Sequence, residues 1–260
     1  MSQPPATPTI GSPFIELQSV DSTNNYARTQ IRASGLPERQ GGDRHGMAIF
    51  AHEQVAGKGQ RGKNWVSRKD QNIALSVLIK PANPAVSQQF QLSAAVALAV
   101  QQFFRKYAGD ECRIKWPNDL YWQDRKAGGI LIENIISGSG NWEWAIVGIG
   151  ININQVQFPE DLPNPVSLKQ ITGKESDPCL LAKELCNYMD EQYNRLCQEG
   201  FPGIYHDYCS HLYKNRQVVK LKKETRVFEA LVKNVTPEGR LLVQHAIEEE
   251  FNFGEVEWVI

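Results

Sequence analysis

Apolar positions change their spacing along this chain, and the change divides it. Residues 14–20, 47–53 and 72–79 are short apolar runs of strand length. Asp21, Ser22, Thr23 and Asn24 offer N-cap side chains ahead of a helix expected over 25–33. Leu92, Val96, Ala99, Val100, Phe103 and Tyr107 recur at spacings of three and four, which predicts a helix over 88–107, with Ser87 placed to cap it. Strands are expected at 113–116, 120–123, 129–136 and 143–151, with turns at 124–126 and 137–141. Helices follow at 179–199 and 203–212. Beyond Tyr213 the pattern is short strands only, at 218–221, 227–235, 241–245 and 255–259, with a turn at Pro237, Glu238 and Gly239. Strands with no intervening helix predict a small all-β barrel. Three segments result: a proline-rich lead-in at 1–13, expected to be disordered, a mixed α/β unit at 14–213 and a β unit at 214–260.

Composition narrows the classes without naming one. The chain has 260 residues, 41% of them hydrophobic and 22% charged, enough for a core of ordinary size. Its net charge of -1 advertises neither nucleic acid nor an anionic membrane, so any anion must be held by local charge. No apolar run reaches the roughly 18 residues of a membrane span, and the N-terminus lacks a secretory pattern. The five cysteines include no C-x-x-C; Cys179, Cys186 and Cys197 read as small buried groups near one helix face, as suits a reducing compartment. The histidines show no zinc-binding spacing.

Two blocks carry chemistry. The first, Gly57 to Asn64, spaces glycines among Lys58, Arg61 and Lys63. Glycines let backbone N–H groups approach an anion, and the cations add mobile positive charge. It misses the P-loop pattern because Asn64 stands where a hydroxyl would meet Mg²⁺, and Trp65 to Asn72 does not read as the helix a P-loop opens. Such a loop is either a lid ordered by an anionic ligand or a solvated surface loop. The second block joins Lys115, Trp116, Pro117, Asn118 and Asp119 to Lys126 and the Gly128–Gly129 pair. Asn118 and Asp119 fit either turn chemistry or contact with a base, ribose or phosphate-bound ion. The diglycine permits close approach of another segment or a ligand, and Gly148, Gly150 and Asn152 repeat small residues at a strand end.

Taken in order, Val20 to Asn24, Gln54, Gly57 to Gly62, Trp65, Lys115 to Asp119, Lys126 to Leu131 and Gly148 to Asn152 resemble the biotin protein ligases. The resemblance covers nearly the whole chain, from Phe14 to Ile260. It implies an α+β, class II synthetase-like catalytic domain, a mixed sheet with flanking helices, followed by a small SH3-like β-barrel. The implied reaction activates biotin with ATP, Mg²⁺ accompanying the phosphates, to biotinyl-5′-AMP. The biotinyl group then passes to a lysine of a biotin carboxyl carrier domain, in the cytoplasm. By the same resemblance Ser22, Thr23, Asn24, Gln54, Lys58, Gly59, Gln60 and Lys126 are biotin contacts. Lys58, Arg61, Trp65, Lys115, Asn118, Asp119, Gly129, Gly150 and Asn152 fall to ATP and adenylate, and Arg61, Lys126 and Asp119 to catalysis. Protein ligands for the metal are not assigned. Lys58 and Gln60 depart from arginines common in the family, which lowers the lid's charge, and Ala127 is smaller than the usual aliphatic residue. Some family members carry an N-terminal winged helix-turn-helix; with the catalytic block starting near Phe14, no operator binding and no membrane association are expected. A homodimer formed by sheet extension is open, with no pairing edge identified. Lipoate or octanoyl transfer on the same fold, and a non-catalytic biotin or nucleotide sensor, are the competing readings.

Overall fold

Alternation along the strands builds this molecule, because successive side chains of a strand point to opposite faces. The computed structural model describes residues 9–32, 44–82, 85–160 and 162–259. Seven strands make the larger sheet: β1 (Phe14–Leu17), β2 (Ala48–Ala51), β3 (Asn72–Ile79), β4 (Cys112–Lys115), β5 (Asp119–Trp122), β6 (Arg125–Ile136) and β7 (Trp142–Asn152). Their order is β1-β2-β3-β7-β6-β5-β4. The β1–β2 pair is parallel and the other pairs are antiparallel, so the sheet is mixed.

One face of this sheet is the core. Ile73, Leu75, Val77 and Ile79 of β3, Val147, Ile149 and Ile151 of β7, and Cys112 and Ile114 of β4 are buried together with one side of α2 (Gln89–Ala108). Helices α4 (Pro178–Glu199) and α5 (Phe201–Ser210) complete that layer. The opposite face presents the alternate residues, among them Ser76, Gly148, Gly150, Gly129, Asp119 and Lys115. Helix α1 (Thr23–Arg32) covers only one end of it, where Ala27 packs on Ile49, Leu78 and Ile146.

The other end is bounded by a second sheet of β8 (Val218–Lys223), β9 (Arg226–Val235), β10 (Leu241–Gln244), β11 (Glu248–Phe251) and β12 (Glu257–Val259), in the order β11-β10-β9-β8-β12. This is the small barrel-like unit at the C-terminus, and it is fastened to the turn after β4 and to α5. Trp116 donates its indole N–H to the Gly239 carbonyl at 2.9 Å, and the Tyr205 hydroxyl donates to the Val235 carbonyl at 2.7 Å.

Several expectations need correction. Ser87 does not cap α2; it lies in a short 3-10 turn, and Gln88 occupies the cap with no side-chain bond. A short helix, α3 (Leu168–Thr172), was not expected, although Ser167 and Gln170 form a capping box that fixes its start. Strand β11 was also missed; its acidic run is neutralised by pairs with Lys233, Lys223 and Arg240. Cys197 is exposed rather than buried, and all five cysteines are free thiols. Residues 1–8 of the lead-in, Ala33 and Pro84 lie outside the described residues. Residues 9–13 are ordered, where the lead-in was expected to be disordered: Ile10 is 3% exposed and joins the core, and its N–H bonds Asp190 Oδ1 at 2.9 Å, while Thr9, Ser12 and Pro13 stay exposed.

Candidate active site

The open face of the large sheet is a trough floored by small residues. An added β-carbon at Gly148 would lie 2.5 Å from Asn24 Oδ1, and at Gly150 2.4 Å from Trp65 Cε2. Only glycine lets Asn24 and the Trp65 ring settle directly on the strand. The diglycine works likewise. A β-carbon at Gly128 would meet the Gly150 carbonyl at 2.7 Å, and one at Gly129 would crowd Asp119 and the end of the Lys126 side chain. Lys126 therefore folds back over Gly129, and its Nζ reaches Asp119 Oδ1 at 2.7 Å, with both side chains partly open to solvent.

Polar groups cluster at the α1 end. Gln54 Oε1 accepts from the Thr23 N–H at 2.8 Å and from the Thr23 hydroxyl at 3.1 Å. Ser76 Oγ lies 2.7 Å from Thr23 Oγ1 and 2.6 Å from Asn24 Oδ1. The Asn24 amide donates to Glu133 Oε2 at 2.8 Å, and Arg28 pairs with Glu133 Oε1 at 3.0 Å. Ser22, Thr23, Asn24 and Ser76 are all buried, so this network is pre-set with donors and acceptors in a dry corner. Ser76, Glu133 and Arg28 were not singled out from the sequence, although a serine inside the apolar run of β3 was a visible signal.

The basic loop closes over this face from Gln54 to Trp65. Lys58 and Asn64 bridge, the Gly59 N–H donates to the Lys63 carbonyl at 2.6 Å, and Gln60 to Gly62 form a 3-10 turn with Arg61 left-handed at φ 55°. The turn confirms that no P-loop helix starts here. Lys58 Nζ reaches Asn25 Oδ1 at 2.5 Å, and Gln60 Nε2 donates to the Ile130 carbonyl at 3.3 Å. Arg61 lies against the C-terminal unit: its guanidinium fills the space beside Gly254, where a β-carbon would come within 3.0 Å of Cζ. Gln60 Oε1 and Trp65 Nε1 are buried without partners, two orphaned polar atoms on the loop that covers the trough.

At the far end, Trp116, Pro117 and Asn118 form the hairpin turn between β4 and β5, with Lys115 opposite Asp119. Lys115 Nζ sits 4.9 Å from the Tyr121 ring centre and 5.4 Å from that of Trp258. Burial brings its ammonium down to about 8; Asp119 pulls the other way, and Lys126 and Lys63 add to the fall. The Asn118 amide donates to the Ile130 carbonyl, and the Asn152 amide to the carbonyls of Val166 at 3.1 Å and Lys126 at 3.4 Å. These two asparagine N–H groups thus brace the framework that carries Lys126. A separate cavity of about 670 Å³, between Arg113, Asp124, Tyr213 and Arg216, contains none of these motif residues. Among the described residues, no three His, Cys, Asp or Glu side chains gather as a metal site, and no helix is long and apolar enough to cross a membrane.

Comparisons with known proteins span this region. Residues 17–152 match the model of the biotin/lipoate A/B protein ligase family. The chain is 30% identical over 242 residues to the bifunctional ligase/repressor BirA of Escherichia coli (strain K12), covering 90% of this chain and 70% of that one. It is 38% identical over 138 residues to a biotin–(acetyl-CoA-carboxylase) ligase of Paracoccus denitrificans, covering 50% of this chain and 55% of the relative. Among solved structures, the biotin protein ligase from Aquifex aeolicus in complex with biotin and ATP superposes with a TM-score of 0.75 at 25% identity, covering 95% of this chain and 98% of that one.

Proposed function

The chain belongs to the biotin/lipoate A/B protein ligase family, and from that premise we propose that it is an ATP-dependent biotin–protein ligase. The observation that carries this reading is the trough itself. A buried hydrogen-bonding corner at Thr23, Gln54 and Ser76 lies at one end, and an anion-holding lysine, Lys126, lies at the other, under one basic loop.

The corner suits the ureido ring of biotin, whose N–H and C=O groups need partners when buried. Ser22, Thr23, Asn24 and Gln54 supply them, with Trp65 walling the ring. The biotin carboxylate then lies toward Lys126. Joining a carboxylate to the α-phosphate of ATP pushes two anions together, and the barrier falls when fixed positive charge waits where they meet. Lys126 and Lys115 face that point, and Lys58, Gly59, Gln60 and Arg61 close over it. ATP enters as its Mg²⁺ complex, the metal travelling on the substrate's own phosphates. Carboxylate oxygen attacks phosphorus, pyrophosphate leaves, and biotinyl-5′-AMP remains under the loop.

In the second step the ε-amine of a carrier-domain lysine attacks the acyl carbon, an amide forms and AMP leaves. That amine must shed a proton. Asp119, released from Lys126 once substrate anion competes for the lysine, orients the amine and accepts its proton on the way to solvent. The names of the curated relatives point to a carboxyl carrier domain of acetyl-CoA carboxylase as the acceptor class. Five free thiols suit a reducing compartment such as the cytoplasm. Incubating the protein with labelled biotin, MgATP and an isolated biotin carboxyl carrier domain tests the whole reaction. Label should enter the carrier only with ATP present; ATP-independent or absent labelling would overturn the reading.

A further inference from the structure

We propose that Trp258, on the last strand of the C-terminal sheet, is a positioning residue for the adenylation step: with Tyr121 it clamps Lys115 Nζ at the open face, so the C-terminal unit supplies one wall of the nucleotide side. The inference rests on the ligase reading and adds a residue to it.

The clamp is built from contacts across the two sheets. Lys115 Nζ lies over both rings, 4.9 Å from Tyr121 and 5.4 Å from Trp258. Tyr213 backs them, 5.0 Å from Tyr121 and 5.8 Å from Trp258. It is anchored in turn by its hydroxyl, which donates to Asp124 Oδ1 at 2.7 Å, where Lys214 also binds. The rings thus stand on a fixed base.

Lys115 makes no ion pair among the described residues. The nearest carboxylate on its face, Asp119, is already held by Lys126. A half-buried ammonium cradled by aromatic faces keeps its charge without spending it on a carboxylate. Its positive potential is left for an incoming phosphate, and the rotamer freedom of its long stem is removed before the ligand arrives. Packing alone does not account for this arrangement, since an aliphatic residue at position 115 would fill the space between two rings without desolvating a charge. Trp258 itself is not held by its own hydrogen bond, because its buried indole N–H has no partner. Strand β12 is three residues long and, among the described residues, pairs with β8; packing against the core and the tilted contact with Tyr213 hold the ring.

Biotin-dependent ATP–pyrophosphate exchange tests the clamp. Trp258→Leu keeps apolar bulk and removes the π face; it should raise the KM for ATP about ten-fold, within the range of a desolvated cation–π contact, and leave the KM for biotin within two-fold. Trp258→Phe should restore most of the affinity. In a Lys115→Met background, Trp258→Leu should add less than a two-fold further change. Val243→Ala, which loosens the core of the same sheet, should lower the melting temperature and leave the KM for ATP unmoved. A wild-type KM for ATP in Trp258→Leu, or a full additional loss in the Lys115→Met background, would overturn the clamp while the ligase reading stood. Absence of biotin-dependent exchange in the unmodified protein would instead sink the ligase reading, and the clamp with it.

Discussion

Gly150→Ala puts the trough under direct test. A β-carbon on Gly150 would lie 2.4 Å from Trp65 Cε2 and 2.6 Å from Cζ2, where unstrained carbons keep about 3.5–4.0 Å. Roughly an ångström of overlap must therefore be relieved. Strand β7 cannot give way, because Gly150 is paired with Ala74 on one side and Gly129 on the other. Trp65 sits on a loop and must move. Its N–H bonds the Gly57 carbonyl at 2.9 Å, and Gly57 is itself packed against the Trp65 carbonyl, so the shift passes into the basic loop. Overpacking of this kind costs about 1–3 kcal/mol. Replacing a strand glycine by alanine returns about 0.5–1 kcal/mol through the unfolded chain, so the net loss of stability should be about 0–2.5 kcal/mol, a fall in melting temperature of at most several degrees. Levied on the covered state of the site, the same cost lowers kcat/KM by about 5- to 150-fold at 1.36 kcal/mol per decade. Pyrophosphate exchange titrated with biotin and with ATP, alongside melting curves, reads both effects. In a Trp65→Ala background, which removes the clash, the substitution should be nearly silent. Unchanged kcat/KM for both substrates would refute the placement of Trp65 on the trough, and so would the same loss with Trp65 absent.

Lys126→Ala should slow adenylation by about 10²-fold, the effect of removing a donor aimed at developing charge; a near-normal rate would remove Lys126 from the mechanism. Arg61→Ala should let the adenylate escape, seen by mass spectrometry as biotinylation of bystander lysines, whereas unaltered retention would argue against a covering role. Trp116→Phe leaves the Gly239 carbonyl without its donor, which should cost about 1–3 kcal/mol in denaturant unfolding. His52 bridges Glu16 at 2.8 Å and Asp70 at 2.7 Å, and the bond it donates to Glu16, followed by that to Asp70, holds its imidazolium above the usual 6.5. A raised value stabilises the fold below pH 6.5 and loses that contribution as pH rises through the folded value. Melting temperature should therefore fall across that window in the unmodified protein and stay flatter in His52→Gln; parallel pH profiles would contradict it.

Much of the fold could be read from local pattern. The span 72–79 was legible to the residue as β3, because seven apolar or small residues after Asn72, bounded by polar ones, permit little else in a central strand. The helix at 89–108 followed from its apolar stripe, but its cap did not, since the chain enters through a 3-10 turn that spacing does not reveal. The missed β11 shows the opposite failure: three consecutive glutamates look hostile to a strand until the cross-strand cations are known. At the site, glycines and cations announced themselves by density. What they press against did not, because the contacts of Gly148 with Asn24, Arg61 with Gly254, and Lys115 with Trp258 join segments far apart in the chain. Asn118 and Asn152 were singled out for the nucleotide; the framework carbonyls their N–H groups meet were set by tertiary packing.

The most direct test of the account is pyrophosphate exchange into ATP by the purified protein, with biotin, with lipoate and with neither. Adenylation in this trough predicts exchange that depends on biotin and is absent with lipoate, whose dithiolane offers nothing to the hydrogen-bonding corner at Thr23 and Gln54. Exchange with lipoate in place of biotin, or none with either acid despite measurable biotin binding, would contradict it.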